Sequence, residues 1–191
     1  MNKKIVLLPV LLLMMLLSFT SCNESTAVSQ YDNWQQRNQT FLDSLQNVID
    51  SKSNPNLFVV TPMSNSKLKI YAEKVAGYEV QGSAPLFTDT IQVYYRGKLI
   101  NGEVFDQNFQ GANPDANLDV PVKYPVFTSD TKYQIITGWT EVLQKMKKGE
   151  RWVVYIPYQL AYGSAGSGAI LGYSTLIFDI NLVNYWSHKS N

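Results

Sequence analysis

Residues 135–163 read IITGWTEVLQKMKKGERWVVYIPYQLAYG, and this stretch decides what fold and what kind of site the chain can form. It contains a Gly-Trp pair at 138–139, an Ile-Pro pair at 156–157 and an Ala-Tyr-Gly triplet at 161–163. The stretch offers aromatic and aliphatic walls to a ligand, but no side chain that would act as an obvious nucleophile. This composition predicts a site that binds an apolar segment of a polypeptide chain.

Within this stretch the sequence predicts a short helix followed by a strand. Thr140 is placed to cap the helix, Glu141 falls in its first turn, and Gly149 is placed to end it in the left-handed conformation. The strand is expected over Arg151–Ile156 and should end at Pro157, because proline has no N–H to donate to a sheet.

Strands are also predicted on either side of this stretch. Leu68 and Ile70 alternate with lysines, and residues 91–95 form a second β-rich run. Residues 175–185 form a third, and one face of it is made of Leu176, Phe178, Ile180 and Leu182. An antiparallel sheet with one short helix laid across it buries these faces, so we expect an α+β fold.

Turns and loops are predicted from Gly, Asn, Asp and Pro. Asn101 and Gly102 predict a hairpin over residues 96–105 with a type I′ turn, in which both central residues need a positive φ. Residues 107–124 are expected to form a long surface loop. Residues 163–172 form a glycine-rich loop that lacks the Gly-Lys-Ser/Thr ending of a phosphate-binding loop, so nucleotide binding is not expected.

The first 21 residues are typical of a secretory signal peptide. Lys3 and Lys4 precede an apolar run over residues 5–17, which is too short for a comfortable membrane span. Small residues then lead to Cys22, the one cysteine of the chain, as in bacterial lipoproteins. The sequence therefore predicts cleavage before Cys22 and acylation of its thiol and new amine. Ordinary secretion with a free thiol is the alternative.

Three segments are predicted between Cys22 and the sheet. Residues 22–30 are a polar tether, and residues 54–66, with two prolines, are a connection. Residues 31–53 are predicted to be an amphipathic helix that is capped by Asp32. Two interpretations of its aromatic stripe are open: it packs on the following domain, or it is a homodimerisation or client-binding arm.

Composition and charge exclude several classes of function. The chain of 191 residues has a formal net charge of +1 and no basic block, so no surface for nucleic acid is expected. Its one histidine, His188, lies in the polar tail at 187–191, so catalysis that depends on histidine is not expected. No His, Cys or carboxylate cluster has the spacing of a metal site, and we expect no metal and no cofactor.

Several blocks occur in a fixed order along the chain. They are VYYRG at 93–97, NGEVFD at 101–106, IITGW at 135–139, MKKGE at 146–150, IP at 156–157, LAYG at 160–163 and STLIFD at 174–179. This ordered set resembles the FKBP-type peptidyl-prolyl cis-trans isomerases. The resemblance implies an isomerase domain over residues 67–186, in which an antiparallel half-barrel sheet wraps around one short helix and leaves a hydrophobic pocket between them.

The same resemblance implies which residues form the pocket. Trp139 would be its floor. Its walls would be Tyr95, Phe105, Ile135, Ile136 and Phe178. Asp106 would orient a tyrosine hydroxyl, while the backbone N–H of Ile136 and the hydroxyl of Tyr162 would hold substrate carbonyls.

Two further positions are expected at the pocket. Ile170 would close the rim from the glycine-rich loop. An apolar residue is expected near Pro125, where Tyr124 and Phe127 are the two candidates, and Phe127 is counted among the substrate-binding residues.

The chain also departs from the family pattern. The span from Phe105 to Trp139 is roughly ten residues longer than in compact members, an insertion that surface loops tolerate. Leu171 and Gly172 stand where a Pro-Pro pair is common, and Ser167 replaces a bulkier residue. These changes leave the catalytic rate and the macrolide affinity undetermined by the sequence.

The resemblance implies a lipid-anchored isomerase that assists the folding of exported proteins. Its partners would be proline-containing polypeptides and, through acylated Cys22, the lipid bilayer. We expect it at the outer membrane, facing the periplasm or the cell surface. Two alternatives are a non-catalytic peptide-binding module or holdase that uses the helix at 31–53, and a purely structural envelope lipoprotein.

Overall fold

The computed structural model of the chain describes residues 29–78 and 80–187. The predicted signal peptide, Cys22 and the tail from His188 lie outside these ranges, as does Glu79. No helix within the two described ranges combines the length and the apolar character that a membrane span requires.

The chain divides into two units, Met1–Asp32 and Asn33–Asn191. Only residues 29–32 of the first unit are described, and they form a turn in which the Asp32 carboxylate accepts the Ser29 N–H at 2.9 Å. Every helix and strand described below belongs to the second unit.

The described part of the second unit contains nine strands, and all their pairings are antiparallel. They are β1 (Leu57–Val60), β2 (Ile70–Lys74), β3 (Thr90–Lys98), β4 (Val104–Gln107), β5 (Val122–Pro125), β6 (Arg151–Ile156), β7 (Gly166–Ser167), β8 (Ile170–Leu171) and β9 (Leu176–Trp186). Seven form one sheet in the order β1-β2-β6-β9-β3-β4, in which β5 also pairs with β3. β7 and β8 form a small separate hairpin.

Two helices complete the unit: α1 (Trp34–Asp50), before the sheet, and α2 (Thr137–Leu143), between β5 and β6. A short 3-10 turn follows β6 at Tyr158–Leu160. The predicted α+β class, with an antiparallel sheet, one short helix and an extra N-terminal helix, is confirmed.

One face of the sheet forms the core. In β9 the four alternating residues Leu176, Phe178, Ile180 and Leu182 are all buried. Buried residues of β6 and β3 lie directly opposite them: Val154 and Trp152 on one side, Tyr95 and Val93 on the other. α2 contributes Trp139, Val142 and Leu143, also buried. The alternation predicted for the last strand therefore identifies the core face correctly.

The close approach of α2 to the sheet depends on Gly138. A Cβ at this position would overlap the Cγ2 atom of Ile156, the last residue of β6. Only glycine lets the helix backbone lie this near to the strand, and this contact fixes where the next residue, Trp139, is placed.

The boundaries predicted for α2 are wrong. The helix begins at Thr137, with Ile136 as its N-cap, and ends at Leu143. Thr140 is inside the helix, and its hydroxyl donates to the Val126 carbonyl at 2.9 Å. Gly149 does have a left-handed φ of 88°, but it lies beyond the helix. Thr140, which was expected to cap the helix, therefore makes a hydrogen bond to another segment of the chain instead.

α1 is shorter than the predicted 31–53, and Asp32 does not cap it. The N-cap is Asn33, which has a φ of 54° and makes no side-chain capping bond. The helix is fixed to the loop before β9: the Trp34 indole N–H donates to the Ser174 hydroxyl at 2.9 Å. The Asn38 side-chain oxygen accepts the Thr175 N–H at 2.6 Å. These buried contacts support the interpretation that the helix packs on the domain.

The predicted connection at 54–66 and loop at 107–124 both contain strands that the sequence analysis missed. β1 lies in the first and pairs with β2, so the sheet starts at Leu57 and not at the expected Lys67. β5 begins at Val122, inside the second segment, and pairs with β3. Both strands are only four residues long. Polar residues and prolines lie beside them or within them, and this masked their periodicity.

The hairpin predicted over residues 96–105 is present between β3 and β4, but its turn is not type I′. Gly102 has a φ of 86°, whereas Asn101 is not in the positive-φ region. The Leu99 carbonyl accepts the Gly102 N–H at 2.9 Å, and the Leu99 N–H donates to the Glu103 carbonyl at 2.9 Å. The register also shifts by one residue after Gly97, which gives the hairpin a bulge.

Candidate active site

A cavity of about 140 Å³ opens between the sheet and the N-terminus of α2. Its lining residues are Tyr95, Asp106, Tyr124, Gln134, Ile135, Ile136, Trp139, Tyr162 and Phe178. Seven of these were predicted site residues. The lining comes from β3, β4, β5, β9 and α2, from the segment before α2, and from Tyr162 after the 3-10 turn.

Trp139 lies at the centre of the aromatic residues of the cavity. It is 4% exposed, and its ring makes edge-on contacts with Tyr95, Tyr124 and Phe178, with centroid distances of 5.2, 6.2 and 5.1 Å. Edge-to-face packing of this kind fixes ring orientation as well as burying area. The indole N–H has no hydrogen-bond partner among the described residues. The floor is therefore rigid and carries one unused donor.

A tyrosine–carboxylate pair forms one side of the cavity. The Tyr95 hydroxyl on β3 donates to Oδ2 of Asp106 on β4 at 2.7 Å. The backbone N–H of Tyr95 donates to the side-chain oxygen of Asn108 at 2.7 Å, which holds the strand in place. Burial raises the pKa of the Tyr95 hydroxyl, and its hydrogen bond to the Asp106 carboxylate raises it further.

Tyr162 is partly exposed and follows the 3-10 turn. Burial raises the pKa of its hydroxyl, and the nearby Asp106 carboxylate adds to the effect. The hydroxyls of Tyr95 and Tyr162 therefore remain protonated at neutral pH and can donate hydrogen bonds.

Ile136 presents its backbone to the cavity because it is the N-cap of α2. Its conformation is extended, with φ −62° and ψ 149°, and its carbonyl accepts the Trp139 N–H at 3.0 Å. No described backbone group accepts a hydrogen bond from the Ile136 N–H. Ile136, a lining residue, therefore has a backbone donor without a described backbone acceptor.

Phe105 does not line the cavity directly but supports its wall. Its ring meets Phe178 edge-on, with centroids 5.5 Å apart. Both rings lie over Gly97 of β3, where an added Cβ would be 2.5 Å from Cζ of Phe105 and 2.8 Å from Cε1 of Phe178. The absence of a side chain at Gly97 provides the space that these two rings occupy.

Phe127 and Ile170 are not brought to the cavity. Phe127 lies beyond the end of β5, is 50% exposed and stacks on Phe87. Tyr124 takes the place near Pro125, because it faces the core side of β5 opposite Ile91. Ile170 is buried in β8 and is not among the residues that line the cavity.

Gln134 also lines the cavity and was missed by the sequence analysis. It lies in the irregular segment before α2, where no periodicity marks a position as inward. Its adjacency to Ile135 and Ile136 was the only available signal.

The chemistry available in the cavity is non-covalent. It offers an aromatic floor, aliphatic walls, three tyrosine hydroxyls, a backbone N–H and one carboxylate. Within residues 29–78 and 80–187, no three His, Cys, Asp or Glu side chains are grouped to hold a metal ion. Such a site can enclose an apolar ring and hold the carbonyls on either side of it.

Comparison with known proteins identifies the family. The model of the FKBP-type peptidyl-prolyl cis-trans isomerases matches residues 82–183. The peptidyl-prolyl cis-trans isomerase Mip of Coxiella burnetii is 38% identical over 105 residues, 54% of this chain and 40% of the relative. The outer membrane protein MIP of Legionella longbeachae is 39% identical over 104 residues, 54% of this chain and 39% of the relative.

The crystal structure of FkpA from Escherichia coli superposes with a TM-score of 0.59 at 26% identity, covering 92% of this chain and 72% of that one. The chain belongs to the FKBP-type peptidyl-prolyl cis-trans isomerase family. The match spans less than half the length of the two curated relatives.

Proposed function

We propose that this protein catalyses cis-trans isomerisation of X-Pro peptide bonds in polypeptides, using the cavity floored by Trp139. The observation that carries the proposal is the enclosure of Trp139 by Tyr95, Tyr124 and Phe178, which creates an apolar cup next to a tyrosine–carboxylate pair. Membership of the family and the identity to relatives that are named isomerases support it.

The reaction needs little more than this geometry. Rotation about an X-Pro bond crosses a barrier of about 20 kcal/mol, because the twisted amide loses its resonance. The planar amide is the more charge-separated state, so an apolar cavity that excludes water penalises it more than the twisted one. A shape that fits the twisted amide adds to this difference, and no covalent intermediate is required.

The roles of the residues follow from their places. The proline ring would rest on Trp139, between Tyr95 and Phe178. The Ile136 N–H would hold the carbonyl of one flanking residue, and the Tyr162 hydroxyl another. Asp106 would keep the Tyr95 hydroxyl oriented across the cavity.

The test is NMR exchange spectroscopy on an Ala-Phe-Pro peptide with residues 31–191, which include every described helix and strand. We expect exchange cross-peaks that grow with protein concentration and are lost for Trp139→Ala. The exposed Tyr133→Ala variant is the matched control and should keep full activity. A folded wild-type protein that leaves the exchange rate unchanged would refute the proposal.

The proposed setting is the cell envelope, with exported polypeptides as substrates. The relative from Legionella longbeachae is named an outer membrane protein, which supports an envelope location. We propose that Cys22, outside the described residues, is the acylated N-terminus of the mature chain. Several acyl chains would anchor it firmly, since each buried methylene contributes about 0.8 kcal/mol.

Mass spectrometry of the protein from cells grown with a palmitate analogue checks the anchor. We expect a mature N-terminus at Cys22 that carries the label, and a Cys22→Ser variant that is unlabelled and keeps residues 1–21. A secreted chain with an unmodified Cys22 thiol would show that ordinary secretion is the correct interpretation.

A further inference from the structure

A second cavity lies next to the cavity floored by Trp139. This second cavity has a volume of about 170 Å³ and shares Gln134 and Ile135 with the first as a common wall. Its apolar lining is Phe87, Val126, Phe127 and Ile135, and its polar lining is Ser64, Thr128, Gln134, Thr137, Thr140 and Glu141. The two volumes are thus neighbours on either side of the segment that leads into α2.

An aromatic pair closes the far end of the second cavity. The rings of Phe87 and Phe127 stack with centroids 4.4 Å apart and an angle of 20° between their planes. The two side chains are still 42% and 50% exposed. Two adjacent exposed rings beside a cavity offer apolar surface that a partner can cover.

Polar contacts fix the backbone that carries the pair. Asp89, itself 1% exposed, closes a turn by accepting the Leu86 N–H at 2.8 Å, and its carbonyl accepts the Val126 N–H at 2.9 Å. Val126 is fully buried, and its carbonyl accepts the Thr140 hydroxyl of α2. The aromatic pair is therefore preorganised and tied to the helix that carries the floor of the first cavity.

The second cavity selects an uncharged occupant. Glu141 is its one charged lining residue, and both carboxylate oxygens are already bonded, to the N–H groups of Met63 and Ser64 at 2.8 Å each. Burial alone would raise the pKa of Glu141, but these backbone N–H groups outweigh it and lower the pKa. The carboxylate stays ionised and is already compensated, so it offers little attraction to a cationic side chain.

The volume suits one aromatic ring. An apolar cavity of about 150 Å³ is enough to hold benzene in another protein, so about 170 Å³ accommodates a Phe-sized side chain. Aromatic side chains also gain from stacking against exposed rings, by about 0.5–1.5 kcal/mol beyond the area they bury.

We propose that the second cavity is a specificity subsite: it binds an aromatic side chain of the substrate polypeptide a few residues away from the proline held in the first cavity. The inference rests on the proposed function, because it takes the first cavity as the proline site. Gln134 and Ile135 line both cavities, which makes the substrate the expected occupant, since a chain held in the first cavity lies beside the second. The protein would then prefer unfolded segments in which a proline and an aromatic residue lie close in sequence.

The test uses the full chain as cells produce it, reconstituted in lipid nanodiscs. The ligands are peptides with a single proline in an alanine-serine background, each with one phenylalanine two, three or four residues before or after it. Calorimetry gives the Kd of each peptide relative to the parent without phenylalanine. We expect one position, or two adjacent ones, to bind about fivefold tighter, which corresponds to about 1 kcal/mol.

The variant Phe127→Ala should reduce this ratio to about one, and Phe87→Ala should do the same, because each removes half of the stacked pair. Tyr133→Ala removes an equally exposed aromatic residue outside both cavities and should leave the ratio at the wild-type value. Circular dichroism verifies that each variant is folded.

The outcomes separate the two proposals. If every phenylalanine position gives a ratio of one while the parent peptide is isomerised, the subsite is refuted and the isomerase stands. If the ratio is fivefold and depends on Phe127 but no peptide is isomerised, the subsite stands and the protein binds without catalysis. If sedimentation shows a dimer that Phe127→Ala dissociates, the aromatic pair is a contact between copies of this chain and the subsite is refuted.

Discussion

Single residues decide the shape of the cavity, and Gly97 does so by having no side chain. It lies on β3 directly opposite Phe178 in the neighbouring strand, and the Phe105 ring covers it from β4. Two aromatic rings that support the cavity wall therefore meet over one backbone position.

Gly97→Ala should reduce both activity and stability. The new methyl group would have to displace rings that lie 2.5–2.8 Å from its position. Overpacking of a core typically costs about 1–3 kcal/mol, and we expect that loss in urea unfolding together with a drop of about tenfold in kcat/KM. Gly111→Ala is the control, because its nearest neighbour would be an ordinary 3.4 Å away. Wild-type values for Gly97→Ala would mean that the rings are not packed as described.

Tyr95 gives a prediction about alkaline pH. Its pKa is raised above the ordinary value of 10.0, so the stability that this tyrosine contributes is complete below pH 10 and is lost as the pH rises further. Between pH 9 and 11, the stability of Tyr95→Phe should therefore fall less than the stability of the wild type. The midpoint of urea unfolding at each pH measures this difference. At pH 7 the same variant should show a kcat/KM about tenfold lower, because the hydrogen bond to Asp106 is gone. Tyr133→Phe, with an exposed phenol, should behave as wild type in both measurements.

The resemblance to the FKBP family implied that Trp139, Tyr95 and Asp106 are pocket residues, because the blocks that contain them match that family in order and spacing. It could not choose between Tyr124 and Phe127. That choice depends on the register of β5 against β3, which sets Tyr124 opposite Ile91 on the core side and carries Phe127 past the strand end. Register is a property of two distant segments, and neither segment encodes it alone.

At the level of elements, the extended loop between β4 and β5 is ordered by two arginines. The Arg96 guanidinium donates to the carbonyls of Phe109, Gln110 and Gly111. Arg151 makes a bidentate ion pair with Asp179, in which Nε donates to Oδ1 at 2.7 Å and Nη2 to Oδ2 at 2.6 Å. It also donates to the Ala112 carbonyl. The additional residues therefore form a fixed part of the surface beside the sheet.

Helix α1 gives the prediction at this scale. Asn38 is 2% exposed, and its removal would leave the Thr175 N–H buried without an acceptor. We expect Asn38→Ala to lower the free energy of unfolding by about 2 kcal/mol, while kcat/KM is unchanged because the helix does not line the cavity. The exposed Gln35→Ala on the same helix is the control. An unchanged stability for Asn38→Ala would favour the alternative of a free arm.

Elements with a long, regular apolar pattern could be predicted, and those without one could not. β6 was placed correctly, because six residues of strand end at a proline. β1 and β5 were taken for connection and loop, since each has four residues and gains its order from the strand beside it. The start of α2 was placed too late because Thr140 and Glu141, which resemble cap residues, bond to other segments.

At the scale of the whole molecule, the order of the strands differs from their order in the chain. β9, the last strand in the chain, lies at the centre of the sheet and pairs with β6 on one side and β3 on the other. Its partner β3 begins more than eighty residues earlier. The two halves of the sheet are joined by this strand alone.

Synthesis delivers a chain from its N-terminus, so residues 34–160 emerge while the strand that would complete their sheet is still missing. The core cannot close until Leu176–Trp186 is available, because this strand joins the two halves of the sheet. The position of one strand therefore makes closure of the sheet a late event in the synthesis of the chain.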